Sequence, residues 1–255
     1  MQQAITINKL IDHTNLQPDA SAVELEQLAK EAQEYKFNSI CIRSNWIKQF
    51  SPLYRCSATI NFPEKVYTCN ETNLKQVISS IGNASIETKI QEAKQAITDG
   101  ALELDPVINL QNIKNHDYKA LRAELSAYIE LLKSYDKELW LKPIFSCELL
   151  DDNNIEFSID IFSQLVHELN KNNKIKFAYK NSTGFIKAEN NFPLRGTSPE
   201  LIEFIANQLN EYDSQKIIQI KAAGGIKTQA QALAIIEAAQ GRLSHIGTSN
   251  GISLL

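Results

Sequence analysis

Two lysines stand at the ends of β-rich runs in this 255-residue chain, and glycine follows each of them closely. Lys180 begins the segment Lys180-Asn-Ser-Thr-Gly184, and Lys221 begins the segment Lys221-Ala-Ala-Gly-Gly225. Two amines held close together disfavour charge on each other, so one of them can be neutral near pH 7. Because a neutral amine is a nucleophile toward carbonyl groups, the pair predicts Schiff-base chemistry.

Carboxylates and a third lysine occupy corresponding positions in other β-rich runs. Asp12 ends the first run, Asp105 lies in the fourth and Lys142 lies in the fifth. Period-two alternation puts Asp105 on the same face as Glu103, away from the bulky apolar side chains. A purely structural network of buried ion pairs is the alternative, since buried charges need partners. Three lysines and two aspartates in one place favour a functional site.

Eight β-rich runs alternate with amphipathic helical patterns along the chain. Strands that alternate with helices predict parallel βαβ units, and eight units in this length predict a closed (β/α)8 TIM barrel. An open doubly wound sheet is the alternative, but no Gly-x-Gly-x-x-Gly turn follows the first run. The predicted strands are 6–12, 39–43, 57–61, 102–109, 139–145, 174–180, 217–221 and 243–247.

The chain shows no linker or low-complexity tract, so we expect residues 1–255 to form a single domain. Few residues follow the last predicted strand, which predicts that the eighth helix is short or missing. Residues 64–84 are polar and irregular, and they predict a long loop or a short inserted helix after the third strand.

Glycines follow the last strands of the predicted barrel. Gly224-Gly225 come after the seventh strand, and Gly247-Thr-Ser249 come after the eighth. TIM barrels often bind phosphate with these two loops, and glycine lets backbone N–H groups approach an anion closely. A simple tight turn is the alternative for one Gly-Gly pair. Two such loops in the expected places favour a phosphate site.

The composition excludes several classes of partner. There are 26 basic and 30 acidic residues, which gives no electrostatic footprint for nucleic acid or for an anionic membrane. No signal peptide or membrane-spanning run is apparent, and four widely spaced cysteines favour a reduced, cytoplasmic protein. The four histidines lack ligand spacing, so we expect no metal site; alternation makes His13 a structural or interfacial residue.

The order and spacing of these motifs resemble the deoxyribose-phosphate aldolase family over almost the whole chain. The resemblance implies a class I aldolase that reversibly cleaves 2-deoxy-D-ribose 5-phosphate to D-glyceraldehyde 3-phosphate and acetaldehyde. It implies no metal or organic cofactor, and a homodimer. The segments that carry it are Asp12-His-Thr-Asn-Leu16, Glu103-Leu-Asp105, Lys180-Asn-Ser-Thr-Gly-Phe185, Lys221-Ala-Ala-Gly-Gly-Ile-Lys-Thr228 and Ile246-Gly-Thr-Ser249.

The resemblance also implies a role for each matching residue. Lys180 would form the Schiff base, Lys221 would lower the pKa of Lys180, and Asp105 would handle protons with water. Asp12 and Lys142 would be supporting polar residues of the same substrate-binding cavity. The positions that match phosphate-binding loops are Gly184, Gly224, Gly225, Gly247 and Ser249.

The chain departs from the family pattern after the second, third and fifth strands. Ser44-Asn45, Glu64-Lys65 and Ser146-Cys147 stand where the family has other residues. Two alternatives therefore stay open: a related Schiff-base aldolase for another phosphorylated sugar, and a non-catalytic barrel that binds sugar phosphates. The second is disfavoured because a mere binder has no use for a neutral amine.

Overall fold

A closed barrel of eight parallel strands forms the centre of the molecule, as the sequence predicts. The computed structural model describes residues 6–170 and 174–255. Two further strands, β4 (Tyr67–Cys69) and β8 (Ile186–Ala188), pair with each other outside the barrel. The barrel strands are β1 (Ile11–Thr14), β2 (Ser39–Arg43), β3 (Cys56–Ile60), β5 (Glu103–Pro106), β6 (Leu139–Leu141), β7 (Ile175–Lys180), β9 (Ile218–Ala223) and β10 (Leu243–Thr248).

Helices surround the barrel and cover the outward faces of its strands. Phe177 and Tyr179 on β7 point to this helical layer, as alternation along a strand requires. Phe177 packs edge-on against Phe162, and the Tyr179 hydroxyl lies 2.8 Å from Ser158 Oγ. The helices are α1 (Ala22–Glu34), α2 (Ile47–Phe50), α3 (Leu74–Ser80), α4 (Ile86–Thr98), α5 (Leu110–Lys114), α6 (Tyr118–Lys133), α7 (Asp152–Leu169), α8 (Pro199–Tyr212) and α9 (Gln229–Ala238).

Side-chain caps fix where several of these helices begin. Ser21 and Glu24 form a capping box at the start of α1, and Asp151 accepts a hydrogen bond from the Asn154 N–H in the first turn of α7. Such caps satisfy backbone donors that a helix leaves unpaired at its N-terminus. Within the described ranges, no helix is both long enough and apolar enough to cross a membrane.

The prediction of a strand over residues 6–12 is wrong for most of its length. Residues Ile7–Leu10 form a 3-10 helix, and the strand begins only at Ile11. A local turn outcompetes the sheet here, because the Lys9 N–H bonds to the Thr6 carbonyl and the Asn8 side chain donates to the Tyr35 carbonyl.

Prolines shorten the fourth and fifth barrel strands, which were predicted over 102–109 and 139–145. The continuous ladder between these two strands ends near Pro106 and Pro143, since proline has no N–H to donate. The pairing resumes beyond them as single bridges from Ile144 to Val107 and to Lys180. These bridges keep the sheet continuous around the barrel beside Lys180.

Residues 64–84 contain helix α3, which confirms the predicted short inserted helix after the third strand. They also contain strand β4, which was not predicted and which pairs in parallel with β8, from the segment after β7. The Tyr67 N–H donates to the Phe185 carbonyl at 2.8 Å, which ties this accessory sheet to the end of the barrel. After β10 the chain forms only a 3-10 turn at Ile252–Leu254, in agreement with a missing eighth helix.

We predict that a buried ion pair between β10 and the end of α8 is essential to stability. Arg242 and Asp213 are fully buried, and the Arg242 guanidinium also donates to the Leu209, Asp213 and Ile218 carbonyls. Arg242→Met removes the buried cation from the Asp213 carboxylate and leaves it with the His167 imidazole at 3.2 Å. The change should lower the free energy of unfolding by about 3–5 kcal/mol in urea titrations.

The control is Arg122→Met, which removes a solvent-exposed pair with Glu168. That change should cost no more than about 1 kcal/mol. Equal losses in the two variants would contradict the special role of Arg242.

Candidate active site

Lys180 and Lys221 lie side by side at the mouth of the barrel. They are the last residues of the ladder between β7 and β9, where they are direct partners in the register. Their alternation positions turn both side chains inward, so the two amines share one small volume. Lys221 is fully buried, whereas Lys180 keeps 3% of its surface exposed.

The Asp105 carboxylate bridges the two amines. Its Oδ2 atom lies 2.6 Å from Lys180 Nζ and 2.7 Å from Lys221 Nζ. Its Oδ1 atom accepts a hydrogen bond of 2.9 Å from Ser57 Oγ on the neighbouring strand. Asp105 reaches this position because β5 presents Glu103 and Asp105 on its inward face.

A second layer of charges lies below, along the barrel axis. Asp12 Oδ2 accepts from Lys221 Nζ at 2.5 Å and from Lys142 Nζ at 3.1 Å. Lys142 also bonds Glu103, which pairs with Arg55. Apart from Arg55, every member of this layer is fully buried.

The charges of this network balance when Lys180 is neutral. Burial opposes the charge on Lys142 and Lys221, but the carboxylates outweigh it and raise the pKa of both lysines. Three carboxylates, at Asp12, Glu103 and Asp105, then face three cations, at Lys142, Lys221 and Arg55. A proton on Lys180 would add an uncompensated charge to a buried site.

The pKa of Lys180 is accordingly lowered. Burial is the main cause; the Asp105 carboxylate opposes it, and the positive charge of Lys221 lowers the pKa further. Lysines depressed by burial and a neighbouring cation are nucleophiles toward carbonyls. Of the two lysines, the geometry therefore favours Lys180 as the nucleophile, since it also reaches the cavity.

An open cavity of about 710 Å³ leads to Lys180. The structure brings the predicted phosphate-loop residues to its wall, whereas Asp12, Lys142, Lys221 and Asp105 lie beneath it in the ion network. Asp12 and Lys142 thus lie one layer beneath the cavity wall. The wall includes Lys180, Gly184, Gly224, Gly225, Gly247 and Ser249.

At two of these positions, a side chain larger than that of glycine would make close contacts with neighbouring residues. Gly224 has a φ of +99°, and a Cβ atom there would lie 3.0 Å from Ser182 Oγ. A Cβ atom on Gly247 would lie 3.1 Å from Ala223 Cβ and 3.5 Å from Lys221 Cε. Side chains at these positions would push the loops apart and disturb Lys221.

The loops after β7 and β9 are joined by Asn181. Its Oδ1 atom accepts from the Ala223 N–H at 2.9 Å, and its Nδ2 atom donates to Thr197 Oγ1 at 2.8 Å. Thr197 Oγ1 in turn donates to the Ala223 carbonyl. Motions of the two loops are therefore coupled at the point where Lys180 emerges.

Three groups could in principle hold a metal ion. Asp12, Glu103 and His245 bring ligand atoms within 4.8 Å of one another. The Lys142 ammonium already bonds both carboxylates, so a divalent cation would meet its positive charge. This donor set fits an ion-pair network better than a metal centre.

His13 and Cys41 stand where alternation puts them. His13 turns away from Asp12 and pairs with Glu31 at 2.8 Å, with its ring edge-on to Phe37. Cys41 points inward, and its Sγ atom lies 3.8 Å from Asp105 Oδ2.

Sequence reasoning left several residues of the network unassigned. Asn38 and Ser39 donate to Asp12 Oδ1 at 2.9 and 2.7 Å, and Ser57 holds Asp105. The available signal is a small polar residue at an inward position of a strand, where an apolar residue is usual. His245 and Arg55 gave no such signal.

The chain is similar over almost its whole length to curated bacterial proteins, among them the following two. Deoxyribose-phosphate aldolase 1 of Bacillus licheniformis is 30% identical over 249 residues, which cover 98% of this chain and 94% of that protein. Deoxyribose-phosphate aldolase of Mycoplasmopsis pulmonis is 29% identical over 254 residues, covering 98% and 95%. No protein-family model matches the chain.

Solved structures share the fold. A protein described as QR15, an aldolase, superimposes with a TM-score of 0.76 and 27% identity, over 98% of this chain and 94% of its own. The tetrameric deoxyribose phosphate aldolase from Aeropyrum pernix gives a TM-score of 0.73 at 23% identity, over 97% and 88%. The second likeness concerns the fold alone.

We predict that His245 makes the protein less stable as the pH falls. Burial, with help from the charge of Lys142, lowers the pKa of His245 to about 4. In the unfolded chain the pKa of a histidine is near 6.5. Between about pH 6.5 and 4, His245 therefore binds a proton in the unfolded chain that it does not bind in the folded protein. Stability should therefore fall by up to about 3 kcal/mol over this window.

The measurement is urea unfolding of the wild type and of His245→Gln at about pH 7 and about pH 4.5. The variant should lose less stability on acidification than the wild type. Parallel losses in both proteins would show that His245 is not the titrating group.

Proposed function

This chain belongs to the deoxyribose-phosphate aldolase family, and from that premise we propose that it reversibly cleaves 2-deoxy-D-ribose 5-phosphate to D-glyceraldehyde 3-phosphate and acetaldehyde. Its enzyme class is that of the aldehyde-lyases. The observation that carries the proposal is Lys180, a buried amine of lowered pKa that bonds Asp105 and opens onto the cavity.

The proposed reaction begins with attack of Lys180 Nζ on C1 of the open-chain sugar. The resulting carbinolamine loses water to give a protonated imine, which withdraws electrons from the sugar chain. A base takes the proton of the C3 hydroxyl, the C2–C3 bond breaks, and its electron pair forms an enamine. D-glyceraldehyde 3-phosphate leaves, the enamine is protonated at C2, and water releases acetaldehyde.

Asp105 is the side chain best placed to handle these protons. Its Oδ2 atom is 2.6 Å from Lys180 Nζ. Burial opposes the charge of Asp105, but Lys142, Lys180 and Lys221 outweigh it and hold the pKa of Asp105 well below the usual range. A carboxylate with so low a pKa is a weak base by itself, so we propose that it acts through a water at the cavity end of Lys180. Lys221 stabilises the carboxylate and keeps Lys180 neutral.

The glycine loops would hold the phosphate end of the sugar. Gly184, Gly224, Gly225 and Gly247 line the same cavity as Lys180, together with exposed Ser249. Contacts to the phosphate would position C1 against the amine, and this binding energy supports the chemical step. We propose substrate-binding roles for these residues, and supporting roles for Asp12 and Lys142 beneath them.

Assembly and location stay predictions. We propose that residues 1–255 act as one barrel domain, as a homodimer, in the cytoplasm. The four cysteines, all of which the structure describes, are free and buried, which suits a reducing compartment. Size-exclusion chromatography with light scattering tests the dimer.

We predict that acetaldehyde and borohydride together leave a stable ethyl adduct on Lys180, because reduction traps the imine. Peptide mass spectrometry locates the adduct, and a coupled assay for D-glyceraldehyde 3-phosphate measures cleavage. Lys180→Ala should lose both the adduct and the activity, by at least about 10³-fold.

The matched control is Lys176→Ala, which removes an exposed lysine from the same strand. It should leave trapping and turnover unchanged. Full activity in Lys180→Ala, or an adduct found elsewhere in the wild type, would overturn the proposed mechanism. A panel of other phosphorylated sugars in the same assay defines the substrate.

Lys221→Met should make Lys180 less reactive near neutral pH. Without Lys221, Lys180 loses a neighbouring cation, and the Asp105 carboxylate is shared between Lys180 and Lys142 only, so the pKa of Lys180 rises and the neutral amine becomes scarcer. A rise of one pKa unit slows borohydride trapping roughly tenfold at about pH 7. Trapping should recover as the pH is raised; a pH-independent loss would show that Lys221 acts in another way.

A further inference from the structure

The turn after β7 carries part of the cavity wall, and its shape depends on side-chain hydrogen bonds. Thr183 and Gly184 line the cavity beside Lys180. Ser182 Oγ accepts from the Gly184 N–H at 2.9 Å, and Thr183 Oγ1 accepts from the Phe185 N–H at 3.1 Å. These bonds leave the backbone of residues 182–185 in one defined conformation, with Gly184 at a φ of +72°.

Glu148 supports this turn from below. It belongs to the 3-10 turn Cys147–Leu149 after β6 and is 7% exposed. Its Oε1 atom accepts a hydrogen bond of 3.2 Å from Thr183 Oγ1, the same hydroxyl that accepts from Phe185. A buried carboxyl thus determines the direction of the Thr183 hydroxyl, and through it the geometry of the turn.

The backbone on both sides of Glu148 is anchored. The Cys147 N–H donates to the Asn181 carbonyl at 2.7 Å, and the Arg195 N–H donates to the Glu148 carbonyl at 3.2 Å. Glu148 therefore lies between the two ends of the segment that runs from Lys180 to α8. A side chain in this place can transmit a rigid constraint to the cavity wall.

Burial and hydrogen bonding act in opposite directions on the Glu148 carboxyl group. Burial raises the pKa of Glu148, whereas its hydrogen bonds, including those with Thr183, oppose the rise. Its second oxygen, Oε2, has no hydrogen-bond partner among the residues that the structure describes. The nearby Arg195 side chain is paired with Asp152 at 2.6 Å, so it does not neutralise Glu148. The hydrogen bond from the Thr183 hydroxyl is therefore the contact through which Glu148 acts on the turn.

We propose that Glu148 is a positioning residue for the phosphate end of the substrate, acting through Thr183. The proposal rests on the proposed function for the identity of the substrate. Glu148 itself lies behind the cavity wall, so it affects binding only by holding the 182–185 turn. It should therefore matter for phosphorylated ligands and not for the chemistry at Lys180.

The test compares Glu148→Leu with Glu148→Gln. Leucine fills the space but cannot accept the Thr183 hydrogen bond, whereas the glutamine amide oxygen can. Glu148→Leu should raise KM for 2-deoxy-D-ribose 5-phosphate about tenfold, the effect of one lost hydrogen bond, with kcat nearly unchanged. Activity on unphosphorylated 2-deoxy-D-ribose should change less than about twofold, and Glu148→Gln should behave like the wild type.

Calorimetric titration with inorganic phosphate measures the affinity of the phosphate site in the absence of turnover. Phosphate should bind about tenfold more weakly to Glu148→Leu than to the wild type or to Glu148→Gln. If the wild type binds phosphate in this way but cleaves no sugar phosphate, the proposed function fails and the role of Glu148 stands. If the wild type does not bind phosphate, the role of Glu148 is overturned.

A double-mutant cycle with Thr183→Val tests the path of the effect. Since both changes break the same link, the double variant should bind phosphate no more weakly than Thr183→Val alone. If Glu148→Leu is too unstable to purify, Thr183→Val and Thr183→Ser are compared in its place. Thr183→Ser keeps the hydroxyl, so it should bind phosphate more tightly than Thr183→Val. Additive losses, or equal losses on phosphorylated and unphosphorylated sugars, would show that Glu148 is merely structural.

Discussion

The Asp105 carboxylate, shared between Lys180 and Lys221, is the interaction on which the site depends. Charges inside a barrel are tolerable only in pairs, because removing them from water costs several kcal/mol each. In this network the carboxylates stabilise the charged forms of Lys142 and Lys221 and raise the pKa of both. The pKa of Lys180 is lowered, so its neutral form is favoured relative to an ordinary lysine. The lowered pKa of Lys180 thus follows from the electrostatic balance of the whole layer beneath it.

Strand register delivers these groups to one place. Lys180 is paired with Lys221, and Asp105 is paired with Thr59, so each inward side chain meets its neighbours at one height along the barrel. A slip of one residue in β7 would turn Lys180 toward the helices and bring Tyr179 inside. The packing of Phe177 against Phe162 of α7, and the stacking of Tyr179 on Phe145 after β6, help to prevent such a slip.

Much of this arrangement could be predicted from the sequence, because alternation within strands is local. The inward direction of Lys180, Lys221 and Asp105 follows from period two, and the barrel from the number of strand–helix units. The partners of these residues could not be predicted in the same way. Arg55 and Glu148 reach the site through contacts between segments that are distant in sequence.

Two errors in the predicted elements, the strand over residues 6–12 and the missed strand β4, also arise from contacts between distant segments. Residues 6–12 have the composition of a strand, but the bond from Asn8 to the Tyr35 carbonyl favours a 3-10 turn. Residues 64–84 look irregular because β4 finds its partner, β8, more than a hundred positions away. Local pattern identifies the elements of the barrel, whereas the accessory sheet depends on a pairing that local pattern does not contain.

Titration of the lysine amines by NMR is the most direct measurement of this balance. Lysine side chains labelled with ¹⁵N, assigned with Lys180→Arg, Lys142→Arg and Lys221→Arg, report each protonation state separately. We predict that Lys180 loses its proton below the ordinary lysine value of about 10.4, while Lys142 and Lys221 stay protonated at higher pH. A Lys180 amine that titrates at or above that value, with Lys221 neutral in its place, would contradict it.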